Sequence, residues 1–273
     1  MCFESDSAPP IPVISGAAVS HRDLVLEASD GNRLVAFAAS PNEARGVGVV
    51  VLPDVRGLYH FYEELSLRFA ERGFAAVAID YFGRTAGLEK RDDDFEYMPH
   101  VEQTTQTGIQ SDVAAAVGYL RSSEGGQRTA IFTVGFCFGG RNSWLAAAGA
   151  HGLAGAIGFY GRPGPGRDGS PGPTARAAEL AAPILALMGG DDPGIPVEDV
   201  EAFDEALDEA GVEHEVVVYP GAPHSFFDRK HEQFETESEG AFLRPSSFAI
   251  GCIAATTFAM CSSSSTPRSS APS

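Results

Sequence analysis

Residues 129–140 read TAIFTVGFCFGG: an apolar, β-branched run that ends on Cys137, with Gly135 before it and Gly139 after it. The run up to Phe136 has the length and composition of a buried strand, and the RNSWLAAAGA that follows (141–150) reads as a helix. GFCFG is therefore G-x-C-x-G between a strand and a helix, the nucleophile-elbow pattern with cysteine in the place usual for serine. Such a turn strains the backbone of its central residue, and the flanking glycines leave room for strand and helix to crowd together. The thiol then stands exposed at a helix N-terminus, where the backbone dipole favours the thiolate that attacks electrophiles. The five residues alone fit a buried structural cysteine on a glycine-rich turn equally well.

The same alternation of elements extends on both sides. Apolar strands are expected at 47–53, 74–80, 153–160, 182–190 and 213–220, with helices at 61–73, 109–121 and 197–211, two of them closed by Gly73 and Gly211. Alternation of this kind implies a mostly parallel sheet with helices on both faces, and the unbroken apolar strands fit burial on both sides. Ahead of it, residues 21–40 read as a hairpin turning at Asp30-Gly31, an antiparallel edge. The loop GRPGPGRDGSPGP (161–173) interrupts the pattern without ending it.

Composition narrows the function classes. The chain has 273 residues, of which 44% are apolar, enough for a sizeable core, and a formal net charge of −18. That charge repels nucleic acid, whose phosphates call for clustered Lys and Arg. No apolar run reaches the roughly 18–20 residues of a membrane helix. The four cysteines (Cys2, Cys137, Cys252, Cys261) show no metal-ligand spacing, so no metal is expected. The opening MCFESDSAPPIPV has neither a basic nor an apolar leader region, and a cytoplasmic, reduced chain is expected. All 37 acidic residues fall within 1–240, which is read as one domain. Residues 241–273 form an atypical C-terminal segment whose serine-rich last dozen residues are expected to be disordered.

Two further segments carry chemistry. LMGGDDPGIP (187–196) and YPGAPHSFFDR (219–229) each begin in an expected strand, and they place an acid and then His224 after the cysteine. Nucleophile, acid, histidine is the chain order of α/β-hydrolase triads. In such a triad the imidazole takes the thiol proton, and the carboxylate fixes its tautomer.

Together, GFCFGG, MGGDDPGIP and YPGAPHSFFDR resemble the dienelactone hydrolase family, and the likeness extends to VVVLPDVRGL (49–58) and AIDYFGR (78–84). The resemblance implies a three-layer α/β-hydrolase fold and a Cys137–His224–Asp192 triad. Asp192 is chosen over Asp191 because the family pattern reads G-G-x-D-x-x-I/V-P. Backbone amides of Phe138 and Val55 would form the oxyanion hole. Asp54 stands where founding members carry a glutamate that helps activate the cysteine; its other reading is a loop cap. Arg84 matches an arginine that grips the substrate carboxylate, against a plain surface arginine. Arg229 lies near the place of a second such arginine, in a register that can be off by one. The implied activity is hydrolysis of a small carboxylated enol-lactone through a thioester, carboxymethylenebutenolidase-like, with no cofactor, in a monomer or small homo-oligomer. Alternatives are a broader esterase or thioesterase on the same triad, a binding protein that keeps the fold, and an oxidisable thiol sensor.

Overall fold

A computed structural model describes residues 4, 6–42, 46–228 and 241. Arg229, Cys2, Cys252, Cys261 and, apart from Ala241, the segment 241–273 lie outside the described residues.

The strands are β1 (Val19–Glu27), β2 (Arg33–Pro41), β3 (Val47–Leu52), β4 (Ala75–Ile79), β5 (Ala130–Phe136), β6 (Gly155–Phe159), β7 (Ile184–Gly189) and β8 (His214–Tyr219). They join in one sheet, in the order β1-β2-β4-β3-β5-β6-β7-β8. β1 and β2 form the expected antiparallel hairpin, and β2 also runs antiparallel to β4. Every other pairing is parallel. The helices are α1 (His60–Glu71), α2 (Gly83–Ala86), α3 (Met98–Val101), α4 (Gln106–Arg121), α5 (Phe138–Ala146) and α6 (Val197–Ala210).

Two cores form because successive strand residues point to opposite faces. Val35, Phe37, Val49 and Val51 face a core completed by Phe61, Leu65 and Phe69 of α1 and Phe203 and Leu207 of α6. Leu34, Ala36, Val50 and Leu52 face a second, closed by Ile109, Val113 and Val117 of α4. α5 adds Trp144 to the first core, where it is fully buried and its indole N–H donates to the Leu185 carbonyl at 3.1 Å.

Two helices start earlier than their apolar pattern shows. α4 begins at Gln106 because the Thr105 hydroxyl accepts the Gly108 amide at 3.1 Å, a polar cap ahead of the first apolar residue. α5 begins at Phe138, directly after the cysteine, under cover of the two glycines.

The chain leaves β3 to build β4 on one side and then returns to place β5 on the other. Such a reversal opens a crevice at the carboxyl ends of the two strands, where open α/β sheets bind ligands. Cys137 follows β5 there, and the loop with Asp54 and Val55 follows β3. Among the described residues, no helix is long and apolar enough to cross a membrane.

Candidate active site

Cys137 is the N-cap of α5, with φ 54° and ψ −112°, a backbone conformation side chains rarely adopt. Close packing compels it. A Cβ on Gly135 would lie 2.0 Å from the Gly139 carbonyl oxygen, and one on Gly139 would lie 2.0 Å from that of Leu52 and 2.3 Å from that of Pro53. Only bare backbone fits, so the turn is pressed flat against the end of β3. The Cys137 amide donates to the Phe159 carbonyl at 3.0 Å, which ties the elbow to the end of β6. The thiol is half-buried and makes no hydrogen bond among the described residues.

The acid and the imidazole meet at the same edge of the sheet. Asp192, buried in the loop after β7, accepts the Gly194 amide on Oδ1 at 2.8 Å. Its Oδ2 bonds His224 Nδ1 at 2.5 Å. The neighbouring Asp191 is exposed. His224 follows β8, and Ser225 just after it holds φ 61°, so the chain turns sharply and buries Phe226 and Phe227 beneath the imidazole loop. The Tyr160 ring lies 4.9 Å from the His224 ring. Tyr160 directly follows Phe159, whose carbonyl holds the Cys137 amide. One short segment at the end of β6 therefore touches both the elbow and the histidine.

The loop after β3 is braced from several directions. The Asp54 amide donates to Tyr62 Oη at 2.9 Å, and Tyr81 Oη donates to the Pro53 carbonyl at 2.8 Å. Burial, helped by nearby Asp54, Asp80 and Cys137, pushes the Tyr81 phenol well above its ordinary value, so it stays a neutral donor. Asp80 takes the Leu58 amide at 3.1 Å. The amides of Val55 and Phe138 have no acceptor among the described residues. They begin the two segments that Gly139 brings into contact.

The remaining expected residues do other work. Asp54 is fully buried and caps its own loop: its Oδ1 accepts the Arg56 amide at 2.9 Å, and its Oδ2 accepts Arg56 Nη2 at 3.0 Å. Among the described residues no hydrogen bond joins it to Cys137. Asp is one methylene shorter than Glu, and its oxygens are spent locally. Arg84 is engaged all round its fork. Nε and Nη2 bond Asp30 at 3.1 and 2.7 Å, Nη1 bonds Asp112 at 2.7 Å, and Nη2 also reaches the Gly108 carbonyl at 3.1 Å. This arginine ties the start of α4 to the β1–β2 turn. Among the described residues, no group of three or more His, Cys, Asp or Glu could hold a metal ion.

Tyr160, Tyr62 and Asp80 support the site and were not singled out from sequence. Asp80 lay in view within AIDYFGR at a strand end; the tyrosines carried no local signal.

A family model described as the dienelactone hydrolase family matches residues 34–246. A protein of Escherichia coli (strain K12) named "Putative carboxymethylenebutenolidase" is 32% identical over 207 residues, covering 72% of this chain and 74% of that one. A protein of the same name from Yersinia pestis is 30% identical over 215 residues, covering 77% and 80%. Among solved structures, a "Putative Dienelactone Hydrolase" of Klebsiella pneumoniae superposes with a TM-score of 0.76 at 25% identity, covering 85% of this chain and 99% of that one. The architecture is the α/β-hydrolase fold.

Proposed function

This chain belongs to the dienelactone hydrolase family and is a hydrolase acting on ester bonds, and from that premise we propose that it opens small enol-lactones and activated esters by covalent catalysis on Cys137. The observation that carries the proposal is the strained elbow, which holds a thiol at the sheet edge that also bears the Asp192–His224 pair.

In this mechanism the Cys137 proton passes to His224, and Asp192 holds the Nδ1 side of the ring and stabilises the imidazolium. The thiol makes no hydrogen bond among the described residues, and such contacts are commonly loose before substrate binds. The thiolate attacks the carbonyl carbon, and the C=O π pair becomes an oxyanion held by the Phe138 and Val55 amides. Collapse re-forms the carbonyl and breaks the ester C–O bond. The leaving oxygen takes its proton from His224, leaving a thioester on Cys137. His224 then deprotonates a water that attacks the thioester. The thiolate leaves and recovers its proton, so the sum is ester plus water giving acid plus alcohol or enol.

The leaving group sets the substrate class. A thiolate departs more readily than a simple alkoxide, so the first tetrahedral intermediate of an alkyl ester reverts to substrate. An enolate or aryloxide leaves well enough to go forward. Arg84 bears on the choice between a carboxylated lactone and a broader esterase: with its donors held by Asp30 and Asp112, the geometry favours selection by leaving group over selection by substrate carboxylate.

The test compares a dienelactone with a neutral aryl ester on the wild type, Cys137→Ala and Asp192→Asn. Cys137→Ala should abolish turnover of both, and Asp192→Asn should lower kcat/KM by on the order of 10²–10⁴. Quenched mass spectrometry should find the acyl group on the Cys137 peptide. Turnover surviving in Cys137→Ala would refute the nucleophile. A strong preference for the dienelactone that Arg84→Met removes would restore carboxylate recognition.

A further inference from the structure

A buried charge normally has an opposite charge or hydrogen-bonding groups against it, because desolvation is otherwise costly. Among the described residues the buried charged side chains have such a charged or hydroxyl partner, apart from Arg128, whose terminal nitrogens open to solvent. Asp54 has Arg56, Asp80 has Arg91, Asp112 has Arg84, Asp192 has His224, and Asp228 takes the Ser7 hydroxyl. Arg128 is only 8% exposed, and among the described residues no carboxylate pairs with it. Its Nε donates to the Gly125 carbonyl at 3.2 Å, and its two terminal nitrogens have no acceptor among the described residues.

Arg128 lines a cleft of about 340 Å³ between the α4–β5 connection and the β1–β2 hairpin. Ser20 pairs with Ser40, and Arg22 with Ala38, across the hairpin, so all four share the face that borders the cleft. Tyr119 and Glu124 close the other side, where Arg22 bonds Tyr119 Oη at 3.1 Å and Glu124 at 2.7 Å. That is room enough for a small anion and its waters. Arg128 precedes β5 and Cys137 follows it, so the cleft is about 20 Å or more from the elbow, at the opposite end of the strand.

We propose that this cleft binds a small oxyanion of the phosphate or carboxylate class, received by the terminal nitrogens of Arg128. The guanidinium fork matches two oxygens of such a group. The serine hydroxyls can donate to the rest, and Arg22 can join by exchanging Glu124 for the ligand. The site is separate from the ester-cleaving reaction and does not depend on how that reaction proceeds.

The experiment titrates inorganic phosphate, and in a second arm succinate, against sodium chloride at matched ionic strength, read by thermal shift and calorimetry. A saturable rise in Tm with either anion, absent with chloride, is expected; the arm that saturates identifies the source. Arg128→Gln should weaken binding by about tenfold or more. Ser40→Asp keeps the arginine but supplies it with a carboxylate, and should weaken binding as strongly; it serves alone if Arg128→Gln fails to fold. Aryl-ester turnover should stay within about twofold of wild type in Ser40→Asp, as expected for a half-buried position so far from the elbow. Absence of a saturable rise with both anions overturns the proposal, as does a rise that persists in Ser40→Asp.

Discussion

Replacing Asp80 with asparagine tests whether the loop after β3 hangs on one buried ion pair. Asp80 is 1% exposed and directly follows β4. Oδ2 accepts Arg91 Nη2 and the Phe82 amide, both at 2.9 Å, while Oδ1 accepts the Leu58 amide at 3.1 Å. The Arg91 side chain is 4% exposed and also donates to the carbonyls of Ala86 and Gly87. Asparagine keeps the shape but turns an amide N–H toward one of these donors and leaves a buried guanidinium without its charge partner. Removing one member of a buried pair costs about 3–5 kcal/mol, a large share of the roughly 5–15 kcal/mol that holds a domain together. At about 2–4 °C per kcal/mol for a chain of this size, Tm should fall by roughly 6–20 °C. Urea unfolding of Asp80→Asn, Arg91→Met and the double variant measures it. The double variant should lose less than the two singles together, because no buried charge is then left alone. Leu58 lies three residues after Val55, so ester turnover in the folded variant should also drop, by less than the 10²–10³ or so typical of losing an oxyanion donor outright. A cost below about 1 kcal/mol for Asp80→Asn would refute the reasoning.

Two other substitutions test the frame around the site. Gly139→Ala should cost at least about 3 kcal/mol or prevent folding, since its Cβ would overlap the Leu52 and Pro53 carbonyls. Gly118→Ala, at an open position inside α4, should instead stabilise by about 0.5–1 kcal/mol; equal unfolding midpoints for both would remove the steric argument. His151 bonds Gln110 at 2.8 Å, and burial, with a contribution from Arg121, lowers its pKa. The unfolded chain therefore takes up this proton first as pH falls. Stability contributed at neutral pH is lost below about pH 6.5, until the folded-state pKa is also passed. His151→Gln should flatten the decline between neutral pH and about pH 5 in urea midpoints; an unchanged slope would count against it.

The strands were legible because burial on both faces writes itself as unbroken apolar runs, and VGVVVL and AIFTVGF hold their places in the sheet. The hairpin at Asp30-Gly31 was legible because a turn is local chemistry. The antiparallel joint of β2 with β4 was not, since pairing between distant strands leaves no mark in either. The four-residue helices α2 and α3 are shorter than the periodicity that reveals a helix.

At the site, the difference between what could and could not be read is one of partners. The elbow is a backbone device. Its glycines are needed within a few residues of the cysteine, so GFCFG announces it. A cation's role is decided by whichever carboxylate the fold delivers to it, and that carboxylate can be far away in the chain. Arg84 fits a substrate-binding motif, yet Asp112, 28 residues on, and Asp30, 54 residues back, both reach it. Arg91 looks like one more surface charge until Asp80 meets it inside the fold. Arg128 is the converse: nothing in EGGQRTA marks it, and only the packing shows a buried guanidinium that no acid among the described residues reaches. Motifs therefore announce the strained elbow at Cys137 well. An arginine's ligand follows only from the census of acids around it, and by that census Arg128 is a stronger candidate for an anion from solution than Arg84.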